Sequence, residues 1–393
     1  MKKILYITSK PIYPTVDGGC IAMENFLKCL SYKDIQVKHL LIETVKHPYR
    51  KENYPTEIIA ATQPESVFID TEVKAGGAFV HLFKKGSYNI DRFYSDEMKS
   101  LIERVLEDDS FDCVILESLY LTPYTLTIRN NFSGKIFVRA HNVESEIWKS
   151  LSHVSSGGLK KKYLARLAKD LRSYEIDALN QVDGILGIST DDLVRFKEMG
   201  VKSSSVLIPV AIELAQKQEP IGKNLFHLGA MNWQPNVDAV NRLISLFPTL
   251  RSKHNSIELH IGGSHSAEMI KEDQVNGIFV DGYIDDLSKF AAANGILVSP
   301  IVSGSGIRIK ILEMMAMGIP VVTTKLGALG IDYKQNNCLI TAETDDDLIE
   351  ACNSLIENET MRMEIGNKAI EYIRKNHNIE LISTQILEFI ERT

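Results

Sequence analysis

Short apolar runs punctuate this chain. Most are followed by a polar or glycine-bearing loop and then a stretch whose apolar positions recur every three or four residues. The first run covers residues 4–8, with a helix expected over about 20–30 and a second strand over 36–42. Later runs lie at 111–118, 135–139, 184–188, 225–229, 257–263, 278–280, 296–300 and 320–324. Runs this short and this apolar suit strands buried on both faces, as in a parallel sheet covered by helices. The periodic stretches between them, among them 96–108, 159–179 and 309–317, fit the connecting helices, and 359–393 reads as a helical tail. The pattern breaks near 206–224, where a strand and a proline give way to a polar stretch. A second strand–loop–helix series then begins at 225, its helix opened by Pro235. The expectation is an α/β protein of two domains, each opening on a strand–helix–strand unit, residues 1–207 and 208–375.

Size and composition agree with that division. The 393 residues exceed what one ordinary core holds and suit two. A hydrophobic share of 44% and a charged share of 24% are ordinary for a globular chain. A net charge of −7, with no dominant basic patch, argues against a dedicated nucleic-acid binder. The five cysteines, Cys20, Cys29, Cys113, Cys338 and Cys352, are odd in number and show no paired metal spacing. They read as buried thiols in a reducing compartment. The opening MKKILYITSKPIYP has too short an apolar run for a signal peptide, and no run approaches the length of a membrane span. A cytoplasmic protein is expected.

Candidate chemistry concentrates at 295–332. An apolar strand runs into Gly304 and Gly306, and a helix follows whose free N–H groups and positive dipole end face that loop. Such a place suits phosphate, and Arg308 and Lys310 add formal positive charge. Gly318 and Pro320 end the helix. Glu313 lies three residues after Lys310 on the same face, either to accept from a sugar hydroxyl or simply to form a solvated pair with the lysine. A weaker glycine loop, PTVDGG, puts Gly18 and Gly19 directly before the first helix, where a plain turn is the alternative. The strand at 135–139 ends in a polar cluster of Arg139, His141, Asn142 and Glu144, at the strand end where open α/β sheets bind ligands. Glu144 also fits a helix first turn. The helix over 159–179 carries Lys160, Lys161, Lys162, Arg166, Lys169 and Arg172, a solvated basic face or a contact for anionic lipid. The acidic groups at 191–192, 285–286 and 345–347 read mostly as helix N-terminal acids rather than metal ligands.

Four segments resemble a known family. GSGIRIKILEMMAMGIPVVTTKLGALGI is similar to the nucleotide-sugar-binding segment of retaining glycosyltransferases of family 4 (glycosyltransferase group 1). HNVES resembles the HNxE segment of one branch of that family, MNWQPNVDAV resembles the same branch, and PTVDGG resembles the Gly-Gly loop after its first strand. Many members carry a Glu-x7-Glu motif. This chain has Glu313 at the second position and Ser305 at the first, as in the branch with the GxGxRxKxLE form. The resemblance is specific over 11–19, 137–148, 225–240 and 295–332 and thin over 43–110.

The resemblance implies the GT-B fold, with two Rossmann-like domains facing each other across a cleft and a C-terminal helix (about 376–393) packing back on the first. It implies transfer of a sugar from a nucleoside diphosphate sugar to a glycan, lipid-linked or other acceptor with retention of configuration, in bacterial surface polysaccharide or glycoconjugate biosynthesis. No metal or other cofactor is expected. His141 would meet a donor-sugar hydroxyl. Arg308 and Lys310 would hold the diphosphate, and Glu313 the ribose. Gly18, Gly19, Gly304, Ser305, Gly306 and Ile307 would line the donor site, Tyr283 or Ile284 would pack on the base, and Asp17 and Asn142 would face the acceptor. Many members place an Arg and a Lys in the loop after the first strand of the second domain. Neither occurs between Gly229 and Val240. Members often work at the cytoplasmic membrane face, which keeps peripheral contact through the 159–179 helix open. Two other readings stand beside this one. A GT-B nucleotide-sugar epimerase is opposed by HNVES and GSGIRIK. A non-catalytic nucleotide-sugar-binding or partner-binding protein is favoured by Ser305 and the missing basic pair.

Overall fold

The computed structural model describes residues 2–15, 17–32, 35–72, 87–154, 157–214, 222–304 and 306–393. The chain forms two compact units, one of Met1–Val210 with Ile379–Thr393 and one of Ala211–Asn378. In the first, strands β1 (Lys3–Thr8), β2 (Gln36–Glu43), β3 (Glu65–Phe68), β4 (Cys113–Glu117), β5 (Lys135–Ala140), β6 (Gly184–Gly187) and β7 (Ser204–Leu207) make a sheet in the order β3-β2-β1-β4-β5-β6-β7. All its neighbours are parallel. Its longer helices are α1 (Gly18–Tyr32), α2 (Asp96–Asp108), α3 (Glu144–Val154), α4 (Gly158–Leu179) and α5 (Thr190–Met199).

The second unit repeats the plan. Strands β8 (Asn224–Leu228), β9 (Leu259–Gly262), β10 (Ile278–Gly282), β11 (Gly295–Ser299), β12 (Val321–Thr323) and β13 (Ile340–Thr341) lie parallel in the order β10-β9-β8-β11-β12-β13. Helices α6 (Gln234–Lys253), α7 (Ile309–Met317), α8 (Asp345–Glu357) and α9 (Glu359–Asn376) belong to it, and α10 (Ile379–Arg392) follows. The central strands are apolar because both faces are covered: every residue of β4 and of β11 is buried. Each unit has its own hydrophobic core.

Both sheets reverse direction beside their first strand. The chain winds outward from β1 through β2 to β3, then returns to β4 on the other side of β1. The same happens at β8 and β11. The carboxyl ends of β1 and β4, and of β8 and β11, therefore border a topological switch point, where loops diverge and leave room for a ligand.

Local chemistry sets the helix starts. Asp17 accepts from the Cys20 N–H at 2.8 Å, and this cap starts α1 at Gly18, two residues ahead of the sequence expectation. The acidic groups at 191–192, 285–286 and 345–347 all lie at helix N-termini. Asp286 caps the helix Leu287–Asn294, and Thr344 with Asp347 forms a capping box on α8. The last helix, α10, packs on the first unit, where the Ser383 hydroxyl donates to the Cys29 carbonyl at 2.7 Å and Phe389 lies 5.7 Å from Phe137. Among the described residues no helix is long and apolar enough to cross a membrane.

Candidate functional site

In the second unit the site is built on the loop from β11 to α7. Gly304 (φ 97°) and Gly306 (φ 80°) take backbone conformations that a side chain would strain. Ser305 lies outside the described residues. Arg308 is the N-cap of α7 and offers no side-chain acceptor there, so nothing on that residue competes with an anion for the first-turn N–H groups. Its guanidinium turns back over the loop. Nη1 donates to the Gly306 carbonyl at 3.1 Å, Nη2 to the Ser303 carbonyl at 3.3 Å, and the group stacks 5.2 Å from the Trp233 ring. Burial pulls its pKa down to about 10, so it stays charged at neutral pH. Lys310 and Glu313 form an ion pair of 3.3 Å at the helix surface, as the bland reading of that spacing holds. Glu313 is the more covered of the two, with 22% of its side chain exposed against 46% for Lys310.

Neighbouring loops close around this one. Ile307 packs against Gly330, at the turn after β12. Gly263 (φ 131°) brings the end of β9 against Gly229 at the end of β8, so closely that a Cβ on Gly263 would sit 1.9 Å from the Gly229 carbonyl oxygen. Ile284 fills the space over Gly262, whereas Tyr283 is 76% exposed. The base-packing pair named from the sequence therefore divides into one packed residue and one open ring.

In the first unit the carboxyl ends of β1, β4 and β5 carry a buried charged cluster. Thr8, Glu117 and Arg139 are register partners across the three strands, so their side chains share one face. Glu117 accepts from the Tyr6 hydroxyl at 2.7 Å and makes very short contacts with Arg139 Nη1 and His141 Nε2. Arg139 also lies 4.4 Å above the Phe26 ring. Burial alone would push the Glu117 carboxyl up. Arg139 first, then His141 and the Tyr6 hydrogen bond, overturn that and hold it at about 2.

Beside this cluster lies a carboxylate pair. Glu175 of α4 caps α3, accepting from the Glu144 and Ser145 N–H groups at 2.9 and 3.2 Å. Glu144, the first residue of α3, accepts from the Tyr120 hydroxyl at 3.0 Å. Burial pushes both carboxyls up to about 7, and their mutual repulsion adds to this for Glu144. His141, Asn142, Glu144, Glu175 and Ser118 border one small cavity. Asp17 ends the loop after β1 in this unit, and Gly18 and Gly19, expected in the loop, are the first two residues of α1. There the Asp17 carboxylate is held by Lys10 at 2.6 Å as well as by the α1 N-terminus.

Residues 222–358 match the family model described as Glycosyl transferases group 1. The matched stretch lies within the second unit. It spans the switch point between β8 and β11, the glycine loop and α7, so the elements built above fall inside it. The chain is similar to the "uncharacterized 44.6 kDa protein in cps region" of Klebsiella pneumoniae, 21% identical over 307 residues, 74% of this chain and 77% of that one. It is also similar to the phosphatidyl-myo-inositol mannosyltransferase of Mycobacterium leprae, 24% identical over 357 residues, 87% of this chain and 89% of that one. Among solved structures, HepE of Anabaena in complex with UDP superposes with a TM-score of 0.68 at 13% identity, over 100% of both chains. The fold of the two Rossmann-like units is GT-B.

Glu117, Glu175 and Trp233 were not singled out from the sequence. A carboxylate closing the otherwise apolar strand CVILE was the available signal for Glu117. Trp233 lay within a quoted motif, but its contact with Arg308 joins loops that are far apart in the chain. Glu175 sits among the charges of a long amphipathic helix and looks like any of them.

Proposed function

We propose that the protein is a retaining glycosyltransferase that takes a sugar from a nucleoside diphosphate sugar and passes it to a glycan or lipid-linked acceptor, in surface polysaccharide or glycoconjugate assembly. The observation that carries this reading is the coincidence of the group 1 match with a phosphate-type loop. Two positive-φ glycines, an N-terminus without a side-chain acceptor on its cap, and Arg308, Lys310 and Glu313 fall within a few residues on one switch point. Arg308 and Lys310 hold the diphosphate with the α7 N–H groups, and Glu313 accepts from the ribose. His141 orients the sugar through a hydroxyl. Dipole and side-chain charge neutralise the leaving diphosphate, and the reaction needs no metal. The relatives support the setting, since one is named a phosphatidyl-myo-inositol mannosyltransferase and one comes from a cps region. The UDP complex of HepE supports a nucleoside diphosphate as donor.

Calorimetric titration with UDP, GDP, ADP and dTDP tests the donor site. One nucleotide binds, and Glu313→Ala abolishes or strongly weakens that binding. In a transfer assay Arg308→Ala costs on the order of 3 kcal/mol in activation free energy. No binding of any nucleotide sinks the donor-site reading. A second reading, a non-catalytic nucleotide-sugar-binding protein, draws support from Arg308, whose guanidinium donates to two carbonyls of its own loop. It predicts binding without turnover.

A further inference from the structure

The first unit holds more than a histidine at a strand end. We propose that Glu117 is the positioning residue of the reaction. Fixed by Arg139 and Tyr6, it holds the His141 ring with its hydrogen on Nε2 and leaves Nδ1 as the atom that receives a substrate hydroxyl. This rests on the reading that His141 meets the donor sugar.

The geometry leads there in steps. Glu117 is 1% exposed and sits on register with Thr8 and Arg139 at the carboxyl edge of the sheet, beside the switch point. Tyr6 and Arg139 only donate to it, so it is anionic and can only accept. The atom of His141 that touches it is Nε2. An anion there requires the hydrogen on Nε2. Arg139 Nη1 also lies 3.2 Å from Nε2 with a hydrogen free to point there, but the Glu117 oxygen is the much nearer partner of Nε2 and, as an anion, takes its hydrogen. Nδ1 then carries the lone pair. It has no hydrogen-bond partner among the described residues, and the ring borders the cavity that Ser118, Asn142 and Glu144 also line.

The backbone marks the same place independently. Ser118, directly after Glu117, has φ 97° and ψ 160°, a region that residues other than glycine rarely adopt and in which its backbone is strained. It is held there by its N–H to the Arg139 carbonyl at 3.0 Å, and its hydroxyl accepts from the Tyr120 N–H at 3.3 Å. A strained turn locked to the arginine fixes where the Glu117 carboxylate and the cavity rim end up.

The test uses the full chain labelled with ¹⁵N-histidine, the His141 resonances being those missing from His141→Asn. In the wild type, Nε2 carries hydrogen and Nδ1 is bare. Hydrogen on Nδ1 with Nε2 bare, or on both nitrogens at neutral pH, overturns the proposal without any Glu117 variant. Glu117→Gln then shifts the proton distribution of His141 and lowers kcat for sugar transfer about 100-fold, with the donor KM changed far less. Glu117→Asp keeps the charge beside Arg139 but draws back from the ring, and lowers kcat while holding the thermal midpoint better than Glu117→Gln does. Unchanged His141 resonances in Glu117→Gln, with lost stability alone, would make Glu117 a counter-ion for Arg139 and nothing more. Shifted resonances with unchanged transfer would uphold the tautomer and overturn the role of His141 in the reaction.

Discussion

Two carboxylates in the first unit differ because of their neighbours, not their burial. Both Glu117 and Glu144 are desolvated, which favours the neutral acid. Glu117 has a guanidinium, an imidazole and a phenol around it and is held at about 2. Glu144 has a single phenolic donor and another carboxylate, Glu175, and rises to about 7. The sign of the pH effect follows. Between the ordinary glutamate value, about 4.3, and about 7, the folded protein keeps protons that the unfolded chain has lost. The stability these groups give is full below that window and falls as pH rises through it. Glu175, raised to about 7, and Asp192, raised to about 6, act in the same direction. The thermal midpoint is expected to fall as pH rises from about 4.5 to about 7, and Glu144→Gln, which keeps an acceptor for Tyr120, flattens that fall. Parallel curves for the variant and the wild type would refute the assignment.

Among the elements, α7 is held at both ends by features that tolerate little change. Its C-terminus closes on Gly318 in the left-handed region (φ 78°), and Gly366 of α9 lies against it, so that a Cβ on Gly366 would sit 2.1 Å from the Gly318 carbonyl oxygen. Helix propensity alone favours Ala over Gly by about 1 kcal/mol. The clash with backbone that cannot swing aside outweighs that gain, since overpacking costs about 1–3 kcal/mol and the contact is far inside van der Waals distance. Gly366→Ala is therefore expected to destabilise the protein by about 1–2 kcal/mol in urea titration. On the proposed donor site, nucleotide affinity weakens with it, because α7 begins where the glycine loop ends. An unchanged midpoint would show that α9 shifts freely.

At the scale of the whole molecule, a net charge of −7 coexists with a local basic face. Arg166 and Arg172 of α4 are paired with Asp170 and Glu146. Lys160, Lys161, Lys162 and Lys169 are exposed on the same helix. On the proposal that the acceptor is lipid-linked, these lysines meet an anionic bilayer, at about 1 kcal/mol each. The protein then sediments with anionic but not neutral vesicles, and replacing Lys160, Lys161 and Lys162 together by Ala weakens that binding about 100-fold. Equal, weak sedimentation with both vesicle types would leave α4 a solvated face.

The sequence by itself determined the elements and their class. Runs such as CVILE and GILVS fit strands covered on both sides, ILEMMAM fits a helix buried over most of its surface, and Gly318 stops it. Such information is local, carried by residues a few positions apart. The placing of Gly304, Gly306, Arg308 and Glu313 around one loop and one helix was legible for the same reason. The tertiary structure decided what strand order decides. Thr8, Glu117 and Arg139 become neighbours only because β1, β4 and β5 lie side by side in register. Arg308 meets Trp233, and Gly263 meets Gly229, only because β8 lies between β9 and β11. Parallel pairing joins strands across long crossovers, so the partners of a charged residue at a strand end lie tens of residues away and leave no local trace in the sequence.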